Sequence, residues 1–179
     1  MIELSALLWV MAIFFAVLGW NRGWKREMIG TAGIVLALFA LFQFDSILRG
    51  TILASVNRDQ VFLIQVLIFL AVVFAAYQQR SVFGNELKVV ARAENRGDYQ
   101  NSVLGALMGL LNGYLIWGTL WYFMDINEYP LAPYIVAPSP GSPSDQMRNL
   151  LPLVVLGGGN GDLLAIAVIG LFVVVLVLI

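Results

Sequence analysis

Apolar residues in this chain run in long blocks, broken by short polar stretches, rather than at the spacing of a soluble core. Blocks of about 17 to 25 residues suit roughly 30 Å of hydrocarbon at about 1.5 Å of helix rise per residue. The pattern predicts five spans: Leu4–Trp20, Met28–Phe44, Val61–Tyr77, Val103–Met124 and Leu163–Ile179. Many of these residues are β-branched, but lipid would leave an isolated strand with unpaired backbone groups, so helix is the expected form. Asp59 and Asp162 precede the third and fifth blocks as candidate N-caps. The first block follows Met1-Ile2-Glu3, with neither a cationic start nor an A-x-A-like cleavage site, so it is expected to stay as a span. The predicted fold class is an all-α polytopic membrane protein. It has a four-helix body over 1–124, a Pro/Gly-rich loop with a short apolar segment over 125–162, and a C-terminal transmembrane helix over 163–179.

Charge gives this arrangement a direction. Arg22, Lys25 and Arg26 lie between the first two blocks, and Arg80, Lys88, Arg92 and Arg96 between the third and fourth. Both loops fall on one side of the membrane, and the cation excess there marks it as cytoplasmic. The N-terminus is then outside, the C-terminus is cytoplasmic and the 125–162 loop is extracytoplasmic. Arg22, Lys25 and Arg26 are expected to hold topology and to rest on anionic head groups, at about 1 kcal/mol per cation near the surface. Trp20, Trp24, Tyr77 and Tyr99 fall at the inner boundary, and Trp117, Trp121 and Tyr122 near the outer one, as an aromatic belt requires. Asp45–Gln60 reads as a short interfacial amphipathic helix and ELKVVARAENR as a short cytoplasmic one. Leu150–Leu156 is too short to span and is expected to be re-entrant or to lie against other helices.

The composition removes several kinds of chemistry. Of 179 residues, 60% are hydrophobic and 12% charged, against about 25% charged in an average soluble domain. There is no Cys and no His, so disulfides, thiolate ligands and the commonest general base and metal ligand are all missing. No cofactor is predicted, although a lipid, quinone or pigment held by apolar contact alone fits the composition. Nothing points to nucleic acid.

Two small-residue faces stand out. Gly105, Gly109 and Gly113 are spaced by four, so they share one helix face where a second helix can approach backbone to backbone. Gly30, Gly33, Ala37 and Ala40 form a related face on the second block, and the natural expectation is that these two faces meet. The polar residues inside the predicted spans are Thr31, Gln43, Gln65, Asn112, Tyr114 and Thr119, none of them ionisable at neutral pH. Proton pumps and ion carriers usually bury a charged group, so coupled transport is disfavoured. Asn112 beside the glycines is expected to hydrogen-bond across helices. Gly159-Asn160-Gly161-Asp162 spells the GxGD of some membrane aspartyl proteases, with Asp125 as a second carboxylate. A glycine turn and a helix cap explain the same residues more simply, and no enzyme activity is predicted.

RGWKRE (Arg22–Glu27) followed by an apolar span resembles the RGxxRE hairpin of the colicin V production protein family of bacterial inner-membrane proteins. VLGALMGLLNGYLI (Val103–Ile116) resembles that family's glycine-bearing span. Arg22, Gly23, Arg26 and Glu27 carry over from the first motif, and Gly105, Gly109 and Gly113 from the second. The chain departs at Asn112, where the family usually has Arg, and at Gln100-Asn101, where an Asp-Arg pair is frequent. The resemblance covers about residues 5–124 and implies a small polytopic protein of the bacterial cytoplasmic (inner) membrane. By name, that family is linked to export of a peptide toxin and to envelope upkeep, with no established reaction. The expected function is therefore a non-enzymatic membrane protein that packs against lipids and other integral membrane proteins. The alternatives are an accessory scaffold subunit of a respiratory or photosynthetic complex and, behind it, a small transporter or channel.

Overall fold

In hydrocarbon a chain has no hydrogen-bond partner but itself, and each apolar block closes its backbone into helix. The computed structural model describes residues 3–78 and 99–178. Helix α1 spans Leu4–Arg22, α2 spans Trp24–Ile47 and runs on as a π-helical turn over Leu48–Ile52, α3 spans Arg58–Gln78 and α4 spans Tyr99–Ile126. Two short helices follow, α5 (Pro143–Arg148) and α6 (Pro152–Gly157), then α7 (Asp162–Leu178). The first four are long and apolar enough to cross a membrane; α7, apolar after Asp162, is shorter. The protein is all-helical, with no strand among the described residues.

Each of the first four helices reaches beyond its predicted apolar block, because polar residues at the ends complete its last turns. Asp59 sits inside the first turn of α3 rather than capping it, and the Asn57 carbonyl accepts the first backbone bonds there. The separate amphipathic helix expected over Asp45–Gln60 is absent: α2 and its π turn take up that stretch as far as Ile52. The cytoplasmic helix expected from ELKVVARAENR lies outside the described residues.

The bundle is organised around α4, which packs against α1, α2 and α3. Its core is apolar, with Ile34, Leu38, Phe69, Leu115 and Phe123 in one cluster. Phe69 and Phe123 meet edge to face, with centroids 5.9 Å apart. The segment after α4 folds back onto the bundle. Arg148 of α5 reaches the Asp125 carboxylate at 2.9 and 3.1 Å. The Tyr114 hydroxyl donates to the Leu150 carbonyl, and Pro152 lies on Gly118, where a Cβ would overlap its ring. Gly118 is eight residues short of Ile126, about 12 Å along the axis. The α5–α6 hairpin is thus the docked form of the short apolar segment Leu150–Leu156. Its far arm is fixed by Phe42 of α2, which fills the space beside Gly157 and Gly161. From there α7 runs along α2, with Ile166, Ile169, Phe172 and Leu176 outward.

Around α4, helices α1 and α3 stand apart at the end away from the RGWKRE turn. A half-open crevice of about 190 Å³ separates them, floored by Trp117, Leu120 and Trp121 of α4 and walled by Leu4, Leu8 and Phe62.

Candidate functional site

The RGWKRE turn is built on Gly23, which has φ +82°, a value that costs glycine nothing and other residues a good deal. Helix α1 ends at Arg22 and α2 begins at Trp24, so one residue makes the whole connection. A side chain of α4 completes the turn: the Trp24 backbone N–H donates to Asn101 Oδ1 at 3.3 Å.

Starting α2 at Trp24 moves Glu27 from a loop edge to the inward face of a helix. Its exposure is 1%. A bare carboxylate there would be costly, and three side chains from the three other long helices answer it. Asn112 Nδ2 donates to Glu27 Oε2 at 2.9 Å and to the Glu27 carbonyl at 3.1 Å. The Tyr77 hydroxyl donates to Oε2 at 3.2 Å, and Arg22 Nη1 lies 3.4 Å from Oε1. The Arg22 guanidinium also sits 5.4 Å from the Tyr77 ring centroid, within cation–π range. Thr31 Oγ1 lies 2.7 Å from Asn112 Oδ1 and 2.9 Å from the Glu27 carbonyl oxygen. Its single proton serves one of these at a time. The expectation that no ionisable group lies among the spans is therefore corrected. Glu27 is such a group, and it reads as a loop residue only if α2 is started too late.

A second polar layer closes the opposite end of α2, α3 and α4. Arg49, on the π turn, lies 3.0 Å from Asp45 Oδ1 and donates to Gln65 Oε1 and Asn127 Oδ1 at 3.3 and 3.4 Å. Gln65 Nε2 donates to Asp45 Oδ1 at 3.1 Å, and Asn127 Nδ2 to Gln65 Oε1 at 2.9 Å and to the Phe123 carbonyl at 2.8 Å. Thr31 and Asp45 are 14 residues apart on α2, and Asn112 and Asn127 are 15 apart on α4, so roughly 20 Å of helix separates the layers. The buried side chains between them on α2 are Ile34, Val35, Ala37, Leu38 and Leu41, all apolar.

The glycine seam does not face α2, as expected from the pairing of small faces; it faces α1. A Cβ on Gly105 would overlap the Gly19 carbonyl, one on Gly109 the Phe15 carbonyl, and one on Gly113 would come within 2.7 Å of Ala12 Cα. The small face of α2 receives α3 instead. Gly30 lies against the Tyr77 ring and Gly33 against Ala76, while Ala37 is buried in the core. The reason is size: α1 offers Ala12 and Gly19 at the contact, whereas the α2 face toward α4 carries Glu27 and Thr31, which need the room Asn112 fills. Lys25 and Arg26 stand half-buried in the first turn of α2 beside Glu27.

A third cluster holds the α5–α6 hairpin. Besides its bond to Arg148, Asp125 accepts from the Tyr129 hydroxyl at 3.0 Å, and Tyr129 in turn accepts from Trp121 Nε1 at 3.2 Å. Arg148 Nε meets Asp125 Oδ1 as an ion pair rather than an aligned hydrogen bond. Burial, aided by the Asp125 charge, pushes the Tyr129 hydroxyl up to about 12, so it stays a donor at neutral pH. Ser144 Oγ donates to Glu3, tying α5 to the start of α1. Asp162, the aspartate of GxGD, is exposed at the start of α7.

Several of these residues escaped the sequence reading. Gly19 carried a readable signal, since it precedes Gly23 by four. Gly118 lies five residues beyond Gly113, off the seam, and only the docked Pro152 explains it. Gln65 and Asn127 become a pair only once α3 and α4 are packed.

The seam predicts opposite signs for one chemical change. Gly109→Ala should destabilise the protein in detergent by about 1–3 kcal/mol, because backbone must move. Gly170→Ala, in open space on α7, should stabilise by up to about 1 kcal/mol. Thermal or SDS unfolding of both variants checks this; equal shifts would show that α1 and α4 do not touch through Gly109.

The family model described as colicin V production protein matches residues 4–140. That stretch takes in all four long helices and stops before α5. No curated protein and no solved structure matches the chain.

Proposed function

The chain belongs to the colicin V production protein family, and on that premise we propose a non-enzymatic protein of the bacterial inner membrane that works by packing against other integral membrane proteins. It is a multi-pass membrane protein of four long apolar helices; in the proposed topology α7 adds a fifth crossing. The N-terminus then lies outside and the RGWKRE turn faces the cytoplasm. Supporting that orientation, Arg49, Arg58 and Arg148 at the opposite end are each matched to a carboxylate, Asp45, Glu128 and Asp125, which lessens their pull toward the cytoplasm.

The observation that carries the non-transporting reading is the separation of the two polar layers. Proton and ion carriers need a chain of polar groups across the bilayer. Here the Glu27 layer and the Asp45 layer each close on themselves; over the roughly 20 Å between them the buried side chains of α2 are apolar, and the buried Thr119 of α4 donates back to the Leu115 carbonyl of its own helix. Both are spent on joining helices. What remains for interaction is the outer surface, the apolar faces of α1, α3 and α7.

Two measurements test this. The chain has no native Cys, so single cysteines report topology. Asn21→Cys should react with a membrane-impermeant maleimide only after permeabilisation, and Ser139→Cys in intact cells; the reverse pattern would invert the proposal. Purified protein in liposomes under a pH gradient should leak protons no faster than empty vesicles. Flux that Glu27→Gln abolishes would make it a carrier.

A further inference from the structure

The crevice between α1 and α3 is an apolar space at the side of a membrane-spanning bundle, and the chain around its mouth is charged. Its volume, about 190 Å³, is a little above the roughly 150 Å³ that takes up benzene in an engineered apolar cavity. That suits a length of acyl chain and is too small for a helix. Its lining offers almost no polar surface, so hydrocarbon is the only content it matches. Its position, open between two spanning helices, makes the bilayer the source.

The rim specifies the head group. Glu3 precedes Leu4, Asp125 follows Met124, and Asp59 lies one turn before Phe62, the latter residue of each pair except Asp125 being part of the lining, as is Met124. Glu128 leads into the loop that contributes Leu131 and Ile135, and Asp145 pairs with Arg148. Against these five carboxylates stand two cations, Arg58 on Glu128 and Arg148 on Asp125. Five negative and two positive charges leave the rim at net −3. An anionic head group is repelled there. A zwitterionic one with an exposed ammonium carries no net charge to be repelled, and its amine meets the carboxylates left over once Arg58 and Arg148 are paired.

We propose that the α1–α3 crevice is a site for an aminophospholipid of the phosphatidylethanolamine type, one acyl chain lying on Trp117 and the ammonium held by the acidic rim. The proposal rests on the multi-pass reading and is indifferent to which end faces the cytoplasm.

The test uses the full chain reconstituted in phosphatidylcholine bilayers with increasing brominated phosphatidylethanolamine or brominated phosphatidylglycerol, whose acyl bromines quench tryptophan. The Trp117 signal is taken as the difference between wild type and Trp117→Phe. It should be half-quenched at about a fivefold lower mole fraction of the ethanolamine lipid, the factor for one unit charge near the surface. Asp59→Asn combined with Glu3→Gln should reduce that ratio. If both lipids quench Trp117 equally, or the glycerol lipid quenches it better, the head-group assignment fails while the multi-pass reading stands. If Trp117 is unquenched while Trp9 and Trp20, on the outer face of α1, are quenched, the crevice is closed to lipid and the proposal is overturned. Silence from all of them would also defeat the multi-pass reading.

Discussion

A carboxylate shut away between membrane helices must find its partners in the chain itself. Glu27 imposes that constraint on this protein, and the chain meets it with residues from everywhere around. Arg22 comes from the end of α1, Tyr77 from the end of α3 and Asn112 from the middle of α4, all within 3.4 Å of its oxygens. Hydrogen bonds between membrane helices are individually worth about 1 kcal/mol, but each of these bonds also fixes a register. With Asn112 on Glu27, α4 can sit at only one height along α2, and that height places Asn127 beside Gln65 at the far end. It also sets Gly105, Gly109 and Gly113 against Gly19, Phe15 and Ala12. The cation facing Glu27 is Arg22, across the single-residue turn.

The division of labour among the helices follows from side-chain size and polarity. Helices without a hydrophobic drive between them associate through close packing and hydrogen bonds. The α1–α4 contact uses the first device, bare backbone on backbone. The α2–α3–α4 contacts use the second, in two closed polar layers with an apolar core between. The α5–α6 hairpin uses both, with Pro152 on Gly118 and Arg148 on Asp125. What none of these elements covers is the gap between α1 and α3, where Trp117, Leu120 and Trp121 of the central helix form the floor.

Much of this was legible in the sequence, for physical reasons. Long apolar blocks can only be helices in lipid, so the four long spans followed directly. Gly23 between two blocks could be read as a tight turn, and three glycines at spacing four as a packing face. The partner of that face was not legible, because the sequence of α1 shows a single glycine at the contact and the backbone carbonyls that complete it are common to every residue. Glu27 was misplaced because hydropathy starts α2 at Met28, while the helix starts as soon as Gly23 has turned the chain. The hairpin over Pro143–Gly157 was half legible: its apolar segment was too short to span, but the glycine and phenylalanine that receive it lie far away in the chain.

The most direct test of the Glu27 lock is a double-mutant cycle with Glu27→Met and Asn112→Leu, read by reversible unfolding in mixed micelles. If the buried pair holds α2 to α4, the two changes together should cost less than their sum, with a coupling of about 1–2 kcal/mol. Costs that add within about 0.5 kcal/mol would mean that the two side chains do not act on each other, and that something else sets the register of the bundle.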